Sequence, residues 1–334
     1  MSRLAVVTSV LCMTLAAVGC APTVGDDLSD EGGGGPGSNG GGGNGGGPDA
    51  SCASVNFMAT QVIPSIQLVI DRSGSMGQLI STNMTRYQAM REALVGANGV
   101  VGSLQSKARF GASLYSSDSP CPKLYNTGTR DLMNFQQVQQ LIDSQGPSGN
   151  TPTPGAIDQT VAAFAANPPP MGSPPIIVLA TDGLPNSCAG ADSQVESVTS
   201  ARNAYTAGIR TFVLGIAGVN DGFLQNMANA GQGVQQGQTA AKYYTANSPA
   251  ELKTAFEQII GGVVSCELNI NGTVDPELAK GGSVKLNGMD LTYGTDWEVV
   301  NATTIRLVGQ ACDTLKGSTN PQVQASFPCG AVIL

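Results

Sequence analysis

Apolar residues recur along this chain in two alternating rhythms. Residues 66–70 (IQLVI), 176–180 (IIVLA) and 209–216 (IRTFVLGI) are short, mostly apolar runs rich in β-branched residues, the pattern of buried strands, and residues 109–115 are read as a further strand. Between them lie stretches of helical period: residues 86–94, the face Phe135, Val138, Leu141 and Ile142, residues 156–166, residues 193–208 behind a Ser193/Glu196 capping box, and residues 223–230. A last helix is capped by Ser248, Pro249 and Glu251, and its apolar face is Leu252, Ala255, Phe256, Ile259 and Ile260. Residues 123–126 read as a short antiparallel edge, and another short strand is expected near Tyr243. This alternation, sustained over residues 55–262, predicts an α/β fold with a doubly wound, mainly parallel sheet flanked by helices.

After residue 262 the texture changes. CELNINGTVDP, GGSVKLNG, DLTYGTDWEVV and TTIRLVGQAC read as short strands punctuated by Asn-Gly and Gly-Thr turns. Residues 266–334 are therefore expected to form a small β-rich unit, with Trp297, the only tryptophan, as its core anchor. A core of this size is marginal, and a Cys312–Cys329 disulfide is expected to staple it.

The N-terminal stretch has a different logic. Arg3 precedes an apolar run over residues 4–18, so residues 1–19 read as a secretory signal, too short for a comfortable membrane span. The run ends in AVGC, which resembles a bacterial lipobox with Cys20 as the acylated residue; cleavage after Gly19 by an ordinary signal peptidase is the alternative. Residues 20–51 form a tether, nearly all glycine over residues 32–47, that cannot bury apolar surface. Ala21 stands where an inner-membrane retention signal would carry Asp, so the expected location is the outer membrane of a bacterial envelope. Of the eight cysteines, Cys12 leaves with the signal. With Cys20 lipidated, Cys52, Cys121, Cys188, Cys266, Cys312 and Cys329 remain, an even set that fits disulfides in an exported chain.

Charge removes whole classes of function. The net charge is −8, and a nucleic-acid partner would need a basic face. The chain has no histidine, which excludes imidazole bases, Ser-His-Asp triads and ordinary catalytic zinc sites.

What chemistry remains gathers at strand ends. Residues 66–70 run straight into Asp71, Ser73 and Ser75, whose alternate oxygen-bearing side chains can share one small volume. Such oxygen-only ligands suit a hard divalent cation, magnesium above all, with manganese or calcium as alternatives. IIVLATDGLPN runs into Asp182, and GNTPTPGAI places Thr151 and Thr153 in a tight loop before a helix. In open α/β sheets ligands bind at the C-terminal strand ends, where Asp71 and Asp182 both stand.

In this order the three motifs resemble the von Willebrand factor A (VWA) family, a Rossmann-like fold, and its metal-ion-dependent adhesion site. The resemblance implies Asp71, Ser73 and Ser75 in the first metal loop, Thr151 in the second with Thr153 as the competing choice, and Asp182 in the third. It implies a cation with one position open to an acidic side chain of a protein partner. It also implies a C-terminal helix that can slide on ligand binding and move the β unit behind it. On this topology Cys52 and Cys266 flank the A-like domain and can tie its ends, while Cys121 and Cys188 follow strands that end on the metal side.

Three functions follow: a membrane-tethered, cation-dependent binding module; an envelope scaffold using the same fold; and a metal-dependent hydrolase. The last lacks a general base in any of the three loops, Asp192 being a remote candidate, so no enzymatic activity is expected.

Overall fold

The computed structural model describes residues 54–186, 188, 193–318 and 321–333. The expected signal, Cys20, the tether, Cys52 and Asp192 lie outside the described residues.

The chain runs β1 (Val55–Gln61), β2 (Ser65–Asp71), β3 (Leu79–Ser81), β4 (Met84–Thr85), α1 (Arg86–Val95), α2 (Val100–Leu104), β5 (Arg109–Ser116), β6 (Lys123–Asn126), α3 (Phe135–Ser144), α4 (Thr153–Ala166), β7 (Pro175–Thr181), α5 (Ser193–Thr206), β8 (Arg210–Ile216), α6 (Asp221–Gly231), β9 (Tyr244–Ala246) and α7 (Pro249–Val263). It continues through β10 (Glu267–Ile270), β11 (Thr273–Val274), β12 (Ser283–Leu286), β13 (Met289–Leu291), β14 (Trp297–Asn301), β15 (Thr304–Leu307), α8 (Gly309–Gly317), β16 (Val323–Phe327) and β17 (Val332–Ile333).

A six-stranded sheet in the order β6-β5-β2-β7-β8-β9 organises the first part. All its pairs are parallel except β5 with the edge strand β6. Strand β2 lies at the centre and is buried at every position, so both its faces must be apolar or internally satisfied. Ile66, Leu68 and Ile70 enter one core with Met90 and Leu94 of α1, Ile142 of α3 and Phe256 of α7. Val69 enters the other core with Ile157 of α4, Ala204 of α5 and Met227 of α6. Each such aliphatic side chain contributes about 1.5–3 kcal/mol on full burial. Buried Gln67 is satisfied by donating to Ser113 Oγ and accepting from Arg130.

Capping fixes where helices start. Thr85 and Gln88 form a full capping box on α1, and Ser248 Oγ accepts the Glu251 N–H on α7. Ser193 donates its hydroxyl to Pro185 O, which ties the start of α5 to the loop after β7.

The second sheet has seven strands in the order β13-β12-β16-β1-β10-β15-β14. Strand β1 sits in its middle. Val55–Met58 pair with Phe327–Gln324, and Ala59–Gln61 pair with Ile270–Leu268. The segment expected to open the α/β domain therefore pairs with the C-terminal strands, and the α/β part is inserted between two adjacent strands of the β unit. Phe57 joins the core formed by Trp297, Leu286, Ile305 and Phe327. The two connections lie side by side: Val62 donates to Glu267 O and Gln61 Nε2 to Ser265 O.

Two further expectations are corrected. Residues after Leu307 were expected to continue a strand, but they form α8, because Ala311 and Leu315, four apart, bury on one helical face. Cys266 bonds to Cys312, not to Cys52, and Cys312 therefore does not pair with Cys329. The cause is the placement of α8 beside the exit of α7, which brings the two Cα atoms to 5.5 Å. Cys329 is also disulfide-bonded. Lys316 Nζ donates to Gly261 O at the end of α7, and Lys107 Nζ donates to Lys316 O, so α8 is fastened to the α/β part.

Candidate metal centre

The first loop starts where β2 ends. Asp71 is fully buried; its Oδ1 accepts the Ser73 N–H at 2.7 Å and its Oδ2 accepts the Thr181 hydroxyl at 2.8 Å. Burial pushes the Asp71 carboxyl up to about 6, the Ser73 N–H opposes that shift, and the nearby Asp182 adds to it. A 3-10 turn over Gly74–Gly77, anchored by buried Met76, folds the loop back. It brings Ser73 Oγ and Ser75 Oγ to 3.0 Å, and Ser75 donates to Asp182 Oδ1 at 2.7 Å.

The second loop depends on Gly149. Its φ of +72° suits glycine, and a Cβ there would lie 2.8 Å from Ser117 Oγ. Gly149 O accepts the Gly74 N–H, joining the first two loops. Thr151 O accepts the N–H groups of Thr153 and Asn186, and the Thr151 N–H donates to Asn186 Oδ1, joining the second and third. A Cβ built on Gly183 would lie 3.9 Å from both Ser75 Oγ and Thr151 Oγ1, so those two hydroxyls face the same small space. Thr153 behaves differently: its hydroxyl lies 3.2 Å from that of Tyr115, within the protein interior.

Asp71, Ser73, Ser75, Thr151 and Asp182 thus come together, carried by β2, the loop before α4, and the end of β7. Among the described residues no group of three or more His, Cys, Asp and Glu could hold a metal. The donor set here is instead two carboxylates and three hydroxyls, which fits a hard cation such as magnesium or manganese and offers nothing to a thiophilic one.

A model of the von Willebrand factor type A domain matches residues 65–258, more than half of the chain. The chain belongs to the VWA domain family. No curated protein matches it in sequence. Among solved structures it is similar to the pilus adhesin SpaC of Lactobacillus rhamnosus GG, at 15% identity and TM-score 0.48, over 82% of this chain and 40% of that one. It therefore spans well under half the length of that adhesin. It is also similar to the manganese-loaded TRAP protein of Plasmodium vivax, at 19% identity and TM-score 0.46, over 62% of this chain and 78% of that one. A third likeness is to the PilB minor pilin of Streptococcus sanguinis, at 15% identity and TM-score 0.49, over 61% of this chain and 62% of that one.

Around the centre of this VWA domain stand residues that sequence reasoning missed. Arg72, inside the first motif, donates from Nε to Gly146 O and from Nη1 to Ser116 Oγ and Asp118 Oδ2, while its carbonyl accepts the Ser148 N–H. One guanidinium thus holds the β5 end and the segment before Thr151 against the first loop, and it keeps the Asp118 carboxyl below its usual range. Arg86, the first residue of α1, donates from Nη1 to Asp182 Oδ2 at 2.8 Å. Thr181 orients Asp71. Only Arg72 carried a visible signal, its position within the Asp-x-Ser-x-Ser run.

The Cys121–Cys188 disulfide joins the loop after β5 to the loop after Asp182, with Cα atoms 5.7 Å apart. Beside it a cleft of about 400 Å³ is lined by Pro152, Asn186, Asp158 and Glu196, next to Thr151 in chain and space. Leu184, two residues after Asp182, is about half exposed.

Proposed function

We propose that this protein is a surface-anchored binding protein whose VWA domain captures a protein partner through a divalent cation held by Asp71, Ser73, Ser75, Thr151 and Asp182. The observation that supports it most is the convergence of five oxygen-bearing side chains from three loops, already cross-linked by Ser75 to Asp182, Gly74 to Gly149 and Asn186 to Thr151. Between the two threonines, Thr151 is the proposed ligand, because its hydroxyl faces the Ser75 side while that of Thr153 is engaged with Tyr115.

A cation bound there supplies a Lewis-acid face for one carboxylate oxygen of the partner. The protein's own residues do the rest. Asp71 is oriented by Ser73 and Thr181, and Arg72 holds the surrounding loops in register, so little ordering remains to be done on binding. The partner would offer an Asp or Glu side chain, with Leu184 and the cleft beside Thr151 contacting the residues around it. With no histidine in the chain, no imidazole base stands ready to use a metal-bound water, so the reading is one of binding and not catalysis.

Anchoring is part of the same proposal. Cys20, after the apolar run of residues 4–18, would be lipidated, with residues 20–51 as a tether to an outer membrane. Among the described residues no helix is long and apolar enough to cross a membrane. Metabolic labelling with a fatty-acid probe that survives Cys20→Ala would remove the lipid anchor from this account.

The test of binding is a display of acidic and amidated peptide pairs probed with the purified protein. Capture should need magnesium, favour the acidic member, and disappear with EDTA or in Asp71→Ala. Capture indifferent to all three would favour the scaffold reading.

A further inference from the structure

The two carboxylates of the centre are wired unequally. Asp71 has only neutral donors, an N–H and a hydroxyl. Asp182, whose side chain is wholly buried, takes a hydroxyl on one oxygen and the Arg86 guanidinium on the other. Among the described residues, Arg86 is the one cation in ion-pair contact with either carboxylate.

Its placement is built and not incidental. The Arg86 N–H donates to Gln78 O, which fixes the start of α1 against the loop that carries Ser73 and Ser75. The Thr85 and Gln88 capping box fixes the helix direction. The side chain is only 15% exposed, and its Nε is buried with no hydrogen-bond partner, so Asp182 is what holds the guanidinium in place. Placing a long cationic side chain in such surroundings is costly unless an anion compensates it. The converse also holds: two buried carboxylates facing each other are costly without a cation.

We infer that Arg86 is a resident counter-cation of the metal centre: it neutralises Asp182 so that the three loops close without metal, and it thereby lowers the affinity with which the centre takes up a divalent cation. This inference rests on the metal-binding reading above. Two carboxylates and one guanidinium leave the cluster one unit negative, where the same loops without Arg86 would be two units negative and a stronger trap for magnesium. Arg86 is thus a positioning and tuning residue that acts through Asp182 and does not itself contact the ion.

The experiment is a calorimetric titration of magnesium chloride into the whole protein, as wild type, Arg86→Met and Arg86→Lys, with thermal melting of each in EDTA and in saturating magnesium. Arg86→Met should bind magnesium about tenfold or more tighter than wild type, because one unit of like charge near the ion is removed. It should melt lower than wild type in EDTA and recover in magnesium. Arg86→Lys, which keeps the charge, should bind magnesium within about threefold of wild type. A folded Arg86→Met with unchanged or weaker magnesium affinity would overturn the inference. If that variant does not fold without metal, a tenfold loss of magnesium affinity in Arg86→Lys would overturn it instead, by marking Arg86 as a strut whose shape alone matters. Absence of magnesium uptake by the wild type is a distinct result, and it would remove the metal reading along with this one.

Discussion

Ser75 donates its hydroxyl to Asp182 Oδ1 across 2.7 Å, and so joins the first loop of the centre to the third, 107 residues further along the chain. The bond ties the two loops directly to each other. Ser75→Ala should therefore cost about 1.5–3 kcal/mol of stability for the lost hydrogen bond to a carboxylate, and should weaken magnesium binding about tenfold or more. Denaturant melts and calorimetry measure the two effects separately. A variant with unchanged magnesium affinity would remove Ser75 from the ligand set.

The buried Asp71 carboxyl makes the metal-free protein pH-sensitive. Burial holds its folded value at about 6, above the 3.8 of an exposed aspartate, so between those limits the folded chain keeps a proton that the unfolded chain has released. Stability from this group is then greatest at low pH and falls as pH rises through about 6, by a few kcal/mol at most. Melting in EDTA should show a midpoint that falls from about pH 4 to about pH 6 and levels off above it, and Asp71→Asn should flatten that trend. A midpoint that rises over this range in wild type and variant alike would contradict the assignment.

The two threonines of the second loop separate cleanly. Thr151→Val should abolish or strongly weaken magnesium uptake while leaving the melting midpoint in EDTA nearly unchanged. Thr153→Val loses the contact with the Tyr115 hydroxyl and should cost about 1–2 kcal/mol of stability with magnesium affinity retained. The reverse pattern would exchange their roles.

The first strand offers a test of topology. Phe57 lies far from the C-terminal strands in sequence, yet its ring sits 5.5 Å from that of Phe327. Phe57→Ala should destabilise the β unit by about 3–5 kcal/mol. Hydrogen exchange should quicken in β10, β12 and β16 and stay unchanged in β2 and β7. Equal loosening of β2 would place β1 in the wrong sheet.

These outcomes also show which features the sequence carried. Strands β2 and β7 were legible because central parallel strands are buried on both faces and read as almost wholly apolar runs, broken in β2 only by Gln67. Their ends then located Asp71 and Asp182. The partners of β1 were not legible: VNFMATQ marks a half-buried strand, but nothing local says that it pairs with residues more than two hundred positions away. Arg86 follows a helix cap, where an arginine ordinarily reads as solvated; only the meeting of α1 with the β7 loop reveals its carboxylate. Cys266 and Cys312 were misassigned because six cysteines allow fifteen pairings, and α8, which brings these two together, hides behind a β-branched run. Cys121 with Cys188 was reached because both follow strands that end on the metal side.

Calorimetry of the purified, metal-stripped protein with magnesium or manganese decides whether the three loops bind a divalent cation. One site per chain is expected in the wild type and none in Asp71→Ala. A flat titration of the folded wild-type protein with both metals would contradict that expectation.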